Sequence, residues 1–367
     1  MDYGRSKPIA RLEICGNYVK IYAVSASVSI IVVNWNGRHH LELCLPTLLA
    51  QTYPNLDIII VDNGSKDGSC EYVQANYPEV RLIALPQNVG FASGNNVGIR
   101  ASTADYIATI NNDTKADPNW LAALVETAEA NPTVGMCAAK LLFWDRPDVI
   151  NSAGICLDRA GIAWDRLGGQ PNNAMPTPPT PIFGASGGAA LYRRTMLDQI
   201  GLFDEDFFAY LEDVDLAWRA RLAGWDCLFV DTAVVIHHHS ATAIEGSPFK
   251  SKLLGRNKVW TILKNYPWPL LLLYLPAILL YDFGSAAIAL LVRRDSSPLY
   301  GRLQAIPKLP TIWQKRRKIQ QSRTIPLQKM RTLMEPLTTP RQVWQRYQHL
   351  GPSSQQLSLK KRHNSLK

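Results

Sequence analysis

The run Val28-Ser29-Ile30-Ile31-Val32-Val33 and the later run Asp57-Ile58-Ile59-Ile60-Val61 decide the fold. Each is short, rich in β-branched residues and almost free of polar breaks, the pattern of a strand buried on both faces. Between them, residues 37–51 place Leu41, Leu45, Leu48 and Leu49 at helical spacing. The alternation continues outward. A helix reads over 67–76, a strand over 80–84, a helix over 92–101 and a strand over 106–110. Pro118 then opens a further helix in its first turn. Strand and helix alternating at this spacing predict a mainly parallel sheet with helices on both faces. Ligands of such sheets bind beyond the carboxyl ends of the strands.

Polar clusters follow those strand ends. Asn34 follows the first strand, and Asp62-Asn63-Gly64-Ser65 follows the second. Asp62 can accept hydrogen bonds from a base N–H, while Ser65 or Asp67 caps the next helix. Asn88-Val89-Gly90-Phe91 follows the third strand, and its glycine lets a helix N-terminus approach a phosphate. Asn111-Asn112-Asp113-Thr114 follows the fourth. A carboxylate there can hold a hard cation beside a diphosphate, although the same residues also suit an Asx turn. Further on, Glu212, Asp213 and Asp215 crowd the start of a helix over 211–223. They complement its dipole, and one of them could accept a proton if its surroundings raised its pKa. His237-His238-His239 ends a short strand, and neutral imidazole is a common metal ligand.

The remaining chain is read more coarsely. Residues 168–181 form a Gly-, Pro- and Asn-rich loop, and Cys227–Val230 and Ala233–Ile236 read as two short strands. Residues 270–292 are apolar apart from Asp282 and interrupted by Pro276. They suit one membrane span, two short dipping helices bent at the proline, or the buried core helix of a soluble body. From Arg293 onward there are 17 lysines and arginines against Asp295 and Glu335, a net +15. The preceding 292 residues hold 22 basic and 28 acidic residues, a net −6. A tail of that sign meets an anionic surface. It carries no nucleic-acid reading motif, so nucleic acid is excluded as a partner. The six cysteines form no C-x-x-C pair, which disfavours a zinc or disulfide framework. Residues 1–26 lack the apolar core of a cleaved signal and read as a frayed polar extension.

Together these segments resemble the family-2 glycosyltransferases, especially their rhamnosyltransferase-like members. The resemblance is carried by VSIIVVNWNG at 28–37, YPNLDIIIVDNGSKDGS at 53–69, NVGFASGNNVGIR at 88–100, INNDT at 110–114 and FDEDFFAYLEDVDLAWRARLAGW at 203–225. It implies the GT-A fold: an α/β nucleotide-binding half joined to an acceptor-binding half. The implied organisation is an extension over 1–26, a catalytic domain over 27–246, a membrane-associating apolar helical segment over 247–294 and a basic tail over 295–367. Asn34 then begins the nucleotide loop, and Asp62 binds the base. Asn88, Gly90, Phe91, Asn95 and Asn96 line the nucleotide-sugar pocket. Asn111 and Asp113 stand at the ends of the family's Asp-x-Asp motif, with asparagine replacing the first acid. That places more weight on His237 as a second ligand for Mg2+ or Mn2+, with His238 as fallback. Asp213 matches the general base, Glu212 is its catalytic neighbour, and Gly187 and Gly188 match a turn on the acceptor side.

The resemblance implies an inverting transfer from a nucleotide-diphosphate sugar to a glycan or glycolipid acceptor at the cytoplasmic face of a membrane. A thymidine- or uridine-diphosphate donor is implied, with rhamnose one candidate. The Gln-x-x-Arg-Trp of processive synthases is absent, so a single transfer is expected. Two other readings are a sugar nucleotidyltransferase, whose basic glycine-rich loop is missing after the first strand, and a relative that binds nucleotide-sugar without turnover.

Overall fold

The computed structural model describes residues 10–15, 18–23, 25–172, 177–238, 247–339 and 341–342. Two strands, β1 (Ala10–Cys15) and β2 (Tyr18–Ala23), pair as an antiparallel hairpin where a frayed extension was expected. The body then alternates as β3 (Val28–Asn34), α1 (Arg38–Leu49), β4 (Leu56–Asp62), α2 (Ser69–Asn76), β5 (Arg81–Ala84), α3 (Phe91–Arg100) and β6 (Tyr106–Ile110). These four strands are mutually parallel. Side chains alternate across a strand, so Ile30 and Val32 of β3 join Leu41, Leu45 and Leu48 of α1 in one core layer. Ile31 joins Ala92 and Ile99 of α3 in the other. Each fully buried aliphatic side chain contributes roughly 1.5–3 kcal/mol relative to exposure.

The second half is mixed rather than parallel. It contains β7 (Thr114–Ala116), α4 (Trp120–Ala130), β8 (Val134–Phe143), β9 (Ile150–Ser152), β10 (Ile155–Leu157), β11 (Ala163–Asp165), β12 (Thr180–Pro181), β13 (Ala189–Arg193), α5 (Arg194–Ile200), α6 (Glu212–Leu222) and β14 (Asp226–His237). The large sheet runs β12-β14-β8-β13-β6-β3-β4-β5, with β7 on β14 and β9 on β8. β13 is antiparallel to both β6 and β8 and so stitches the halves together.

Local departures from the sequence reading have physical causes. Pro118 sits in a turn before α4, where the Asp117 carboxylate accepts the Asn119 N–H at 2.9 Å. The two strands expected at 227–236 are one strand, whose register on β8 shifts between Val230 and Val234. β8, buried along its whole length, lacks the alternation that marks a strand from sequence.

Among the described residues that follow, five α-helices are named: α7 (Pro248–Asn265), α8 (Trp268–Leu291), α9 (Ser297–Ala305), α10 (Leu309–Gln321) and α11 (Leu327–Leu333). Pro276 lies inside α8 without dividing it. Among the described residues α8 is the one helix long and apolar enough to cross a membrane.

Candidate active site

In register, Asn34 of β3 lies directly beside Asp62 of β4, so two polar side chains share the sheet's rim. Asn34 Nδ2 donates to Asp62 Oδ2 at 2.9 Å, and Asn112 Nδ2 donates to Asn34 Oδ1 at 2.7 Å. Asp62 Oδ1 also accepts the Ser65 N–H at 2.8 Å. Asn34 thereby ties the loop after β4 to the loop after β6. The next loop is tied in turn: Asn63 Oδ1 accepts the Val89 N–H at 3.0 Å, and its Nδ2 donates to the Gly90 carbonyl at 3.1 Å. Asn88 Oδ1 accepts the Gly90 N–H at 2.9 Å. Gly90 has φ of +91°, and a Cβ there would lie 2.6 Å from Phe208. No other residue fits that approach.

The amides of Asn95 and Asn96 depart from the expected pocket lining. Both are buried. Asn95 Nδ2 donates to the Phe91 carbonyl at 2.9 Å. Asn96 bonds the Phe203 backbone in both directions and reaches Glu205 Oε1 at 3.0 Å. Asn96 thus anchors α3 to the segment before α6.

Asp113 is 7% exposed and lies 3.3 Å from His237 Nε2. Asn111 Nδ2 lies 3.3 Å from the same nitrogen. The other ring nitrogen, Nδ1, is 2.9 Å from Asn151 Oδ1. Protonated at Nε2 the ring can donate to Asp113, whereas with its proton on Nδ1 it would turn the Nε2 lone pair toward a cation held beside that carboxylate. Burial works to raise the Asp113 carboxyl, but hydrogen bonding and charge from His237, with His40 beyond, hold it below its ordinary value. A carboxylate oxygen and an imidazole nitrogen at this separation form a donor set suited to a small divalent cation. No group of three His, Cys, Asp or Glu gathers among the described residues. Such a cation would complete its shell with diphosphate and water oxygens. The His238 ring instead stands 5.8 Å from His40 and 5.9 Å from Trp144. His239 lies outside the described residues.

Asp213 approaches the same rim from α6. Its Oδ2 accepts the Gly187 N–H at 3.0 Å, and its Oδ1 accepts the Val214 N–H at 2.8 Å. The adjacent Gly188 carbonyl accepts the Asn111 N–H at 3.0 Å. The turn Gly187–Gly188 is therefore held by the Asp213 carboxylate at one residue and the Asn111 backbone at the next. Burial raises the Asp213 carboxyl above its ordinary value, against the two N–H donors. Glu212 is pushed well above its ordinary value, by burial first and by the charge of Asp213 second. Its Oε2 is buried with no hydrogen-bond partner among the described residues.

Two features were missed from sequence. Asp165 of β11 bonds Ser152 and is pushed up to about 6, by burial first and then by Asp213. Neither Asp165 nor Asn151 belongs to a motif, and both arrive through the pairing of short strands. The second feature is the loop before Asp213. Phe208 has φ 65° and ψ −66°, and the Ala209 N–H bonds the Phe207 carbonyl at 2.8 Å, a strained γ-turn. Tyr210 and Leu211 also have positive φ. The fully buried Asn257 of α7 donates from Nδ2 to the carbonyls of Phe207, Ala209 and Tyr210 at 3.0, 2.9 and 2.7 Å. Arg256 adds a bond to the Phe207 carbonyl at 2.8 Å.

The family profile described as glycosyl transferase family 2 matches residues 29–201. The N-acetylglucosaminyl-diphospho-decaprenol L-rhamnosyltransferase of Mycobacterium tuberculosis is 28% identical over 232 residues, covering 57% of this chain and 75% of that relative. The O-antigen biosynthesis protein RfbC of Myxococcus xanthus is 28% identical over 229 residues, 59% of this chain and 17% of its own length. Two crystal structures share the fold. GalNAc-T7 with UDP, GalNAc and Mn2+ has a TM-score of 0.54 at 17% identity, over 67% of this chain and 49% of that one. Staphylococcus aureus TarS 1–349 with UDP has a TM-score of 0.52 at 16% identity, over 81% and 88%. With its GT-A sheet and the motifs ranged along its rim, this chain is a glycosyltransferase whose residues 29–201 match glycosyl transferase family 2 and which is similar to a rhamnosyltransferase.

Proposed function

We propose that this chain transfers a sugar, with inversion, from a nucleotide diphosphate to a hydroxyl of a lipid-linked or cell-surface glycan at the cytoplasmic face of a membrane. The observation that carries the reading is the shared turn. Asp213 bonds Gly187 and the loop carrying Asp113 bonds Gly188 through Asn111, a proximity that supports a base working beside a diphosphate site. Asp62 and the loops around Asn34 and Asn88 would receive the nucleotide. Asp113 and His237 would hold Mg2+ or Mn2+. A bound cation would supply positive charge against the departing diphosphate. Asp213, its carboxyl raised by burial, would take the proton of the acceptor hydroxyl as that oxygen attacks the anomeric carbon opposite the diphosphate. Positioning of the two substrates and neutralisation of charge then account for most of the acceleration. Rhamnose stands first among donors, because the Mycobacterium relative is named for moving it.

Melting curves with a panel of nucleotide-sugars, with and without Mg2+ or Mn2+, test the donor half. Binding to the folded state raises Tm. The donor should raise it only with cation, and Asp113→Ala should abolish that increment. A cation-independent shift that survives in Asp113→Ala removes the metal assignment. Asp213→Asn should keep the shift and lose turnover by about 10²-fold or more. Near-normal transfer by that variant removes the base.

A further inference from the structure

We infer that α8, α9 and the start of α10 form one apolar platform lying in the plane of an anionic bilayer surface, so that α8 does not cross the membrane. The inference rests on the membrane reading above and specifies its geometry.

One stripe of α8 faces the protein: Leu270, Leu271, Tyr274, Ile278, Ala286 and Ala289 are buried. Asp282 lies on this stripe. Arg302 of α9 grips both of its carboxylate oxygens at 2.7 Å, and Lys258 of α7 approaches to 3.4 Å. The carboxylate that would be costly at a bilayer centre is therefore paired on the inner face. The opposite face is bare. Leu280, Phe283 and Leu291 are 72%, 66% and 76% exposed. Only 22% of the most apolar stretch is buried, which excludes a soluble core helix.

The neighbouring helices decide between crossing and lying flat. α8 leaves the C-terminal end of α7, yet Asp282 meets Lys258, so α8 folds back along α7. α9 then crosses α7 in close contact. A Cβ on Gly301 would lie 2.0 Å from the Lys252 carbonyl, and one on Gly255 would lie 2.4 Å from the Pro298 carbonyl. α7 is fixed to the catalytic body through Asn257, Lys264 and Asn265. A spanning α8 would drag this polar, charged helix into hydrocarbon with it. The apolar surface also continues past α8. Leu299, Tyr300 and Leu303 of α9, then Ile306, Leu309 and Trp313, are exposed. Trp313 and Trp268 meet edge-on at 5.7 Å between ring centroids, with Arg316 over the Trp268 ring. Exposed Arg293, Arg294, Arg317 and Lys318 flank the platform. Apolar surface rimmed by cations, with aromatic rings at the border, complements anionic headgroups over acyl chains.

The test uses the full chain bound to sealed vesicles of phosphatidylcholine and phosphatidylglycerol. Pro269→Cys in the first turn of α8 and Ser296→Cys between α8 and α9 are labelled from outside with a membrane-impermeant maleimide, against the unsubstituted chain as background. An in-plane helix labels at both ends without detergent, while Leu280→Cys is shielded by the vesicles. Labelling of Ser296→Cys only after detergent means a span and overturns the inference. In parallel, Phe283→Glu with Leu291→Glu should weaken vesicle binding about tenfold or more, with transfer to a water-soluble acceptor retained. Unchanged vesicle binding overturns the inference. So does a dimer that these glutamates dissociate in a chain that never binds vesicles, because the face then belongs to a second copy. Loss of transfer with vesicle binding intact would count against the proposed chemistry and leave the platform standing.

Discussion

On the donor side, Asn34, Asp62, Asn63 and Asn112 hold one another across neighbouring strand ends, all within residues 29–201. On the base side, the loop before Asp213 cannot hold itself. Three non-glycine residues with positive φ precede the carboxylate, each disfavoured by roughly 1–2 kcal/mol, and the carbonyls of Phe207, Ala209 and Tyr210 in the same loop are captured by a helix outside the matched region. The difference separates recognition from turnover. The ties among Asn34, Asp62 and Asn112 are a self-contained consequence of parallel strands, while Gly90 beside them packs on Phe208. Asp213, the proposed base, is held in a loop braced by the C-terminal helices, so changes there should alter catalysis or folding while the proposed nucleotide site is spared.

The largest effect is expected at Lys264, which is 1% exposed and pairs with both Asp204 and Asp215. Lys264→Met leaves Asp204 with Lys315 and Asp215 with Arg219 as their remaining cations, and removing one partner of a buried pair typically costs up to about 3–5 kcal/mol. A drop in Tm of many degrees should follow, and an unchanged Tm would mean that α7 does not brace α6. The network also predicts acid sensitivity. Burial acts to raise the Asp204 carboxyl, but Lys264 and Lys315 outweigh it and hold it well below the ordinary value. A depressed carboxyl stabilises the fold above its unfolded pKa of about 3.9. That stabilisation is lost as pH falls from there toward the folded value, so melting curves of the unsubstituted chain should drop below pH ~4.

A smaller, more selective effect is expected at Asn257. Asn257→Ala removes the donors from three carbonyls, a cost of about 1–3 kcal/mol for buried groups left unpaired. The strained loop should relax, and kcat should fall about tenfold, the equivalent of 1.4 kcal/mol. The donor-induced rise in Tm should persist, because the ties among Asn34, Asp62 and Asn112 do not involve α7. Equal loss of donor binding and turnover would erase the distinction between the two sides.

These sides were also unequally legible in sequence. β3, β4 and β6 declare themselves as β-branched runs, and register alone then sets Asn34 beside Asp62. Asp113 and Asp213 are readable because each follows a recognisable element within a quoted motif. The pairing of Asp113 with His237 needs β14 to run past β7, where His237 lies opposite Thr114. Asn151 and Asp165 sit on three-residue strands too short for any periodic signal. Asn257 and Lys264 look like ordinary polar positions of an amphipathic helix, and only packing against residues some fifty positions earlier gives them work. Asp282 read as an obstacle to a membrane helix because its partner Arg302 lies on the next one.

The finest comparison sets Glu212 against its neighbour. Both carboxyls are raised, but Asp213 accepts two backbone N–H bonds that favour its charge, whereas Glu212 has a buried oxygen without a partner and feels the charge of Asp213. A raised carboxyl remains protonated up to a higher pH, so Glu212 should be the neutral member of the pair when Asp213 is ionised. Glu212→Gln copies that neutral form in shape and charge and should leave kcat near pH 7 within about threefold, well under the range for losing an acid–base group. The acid limb of kcat/KM, which reports the free enzyme's base, should lie above the ordinary aspartate value of about 3.9 and stay within about one unit in the variant. Asp213 sets that limb, and its burial is unchanged. A Glu212→Gln enzyme with the defect expected of Asp213→Asn would transfer the base role to Glu212, and the two N–H bonds from Gly187 and Val214 would then mark Asp213 as the residue that positions the turn.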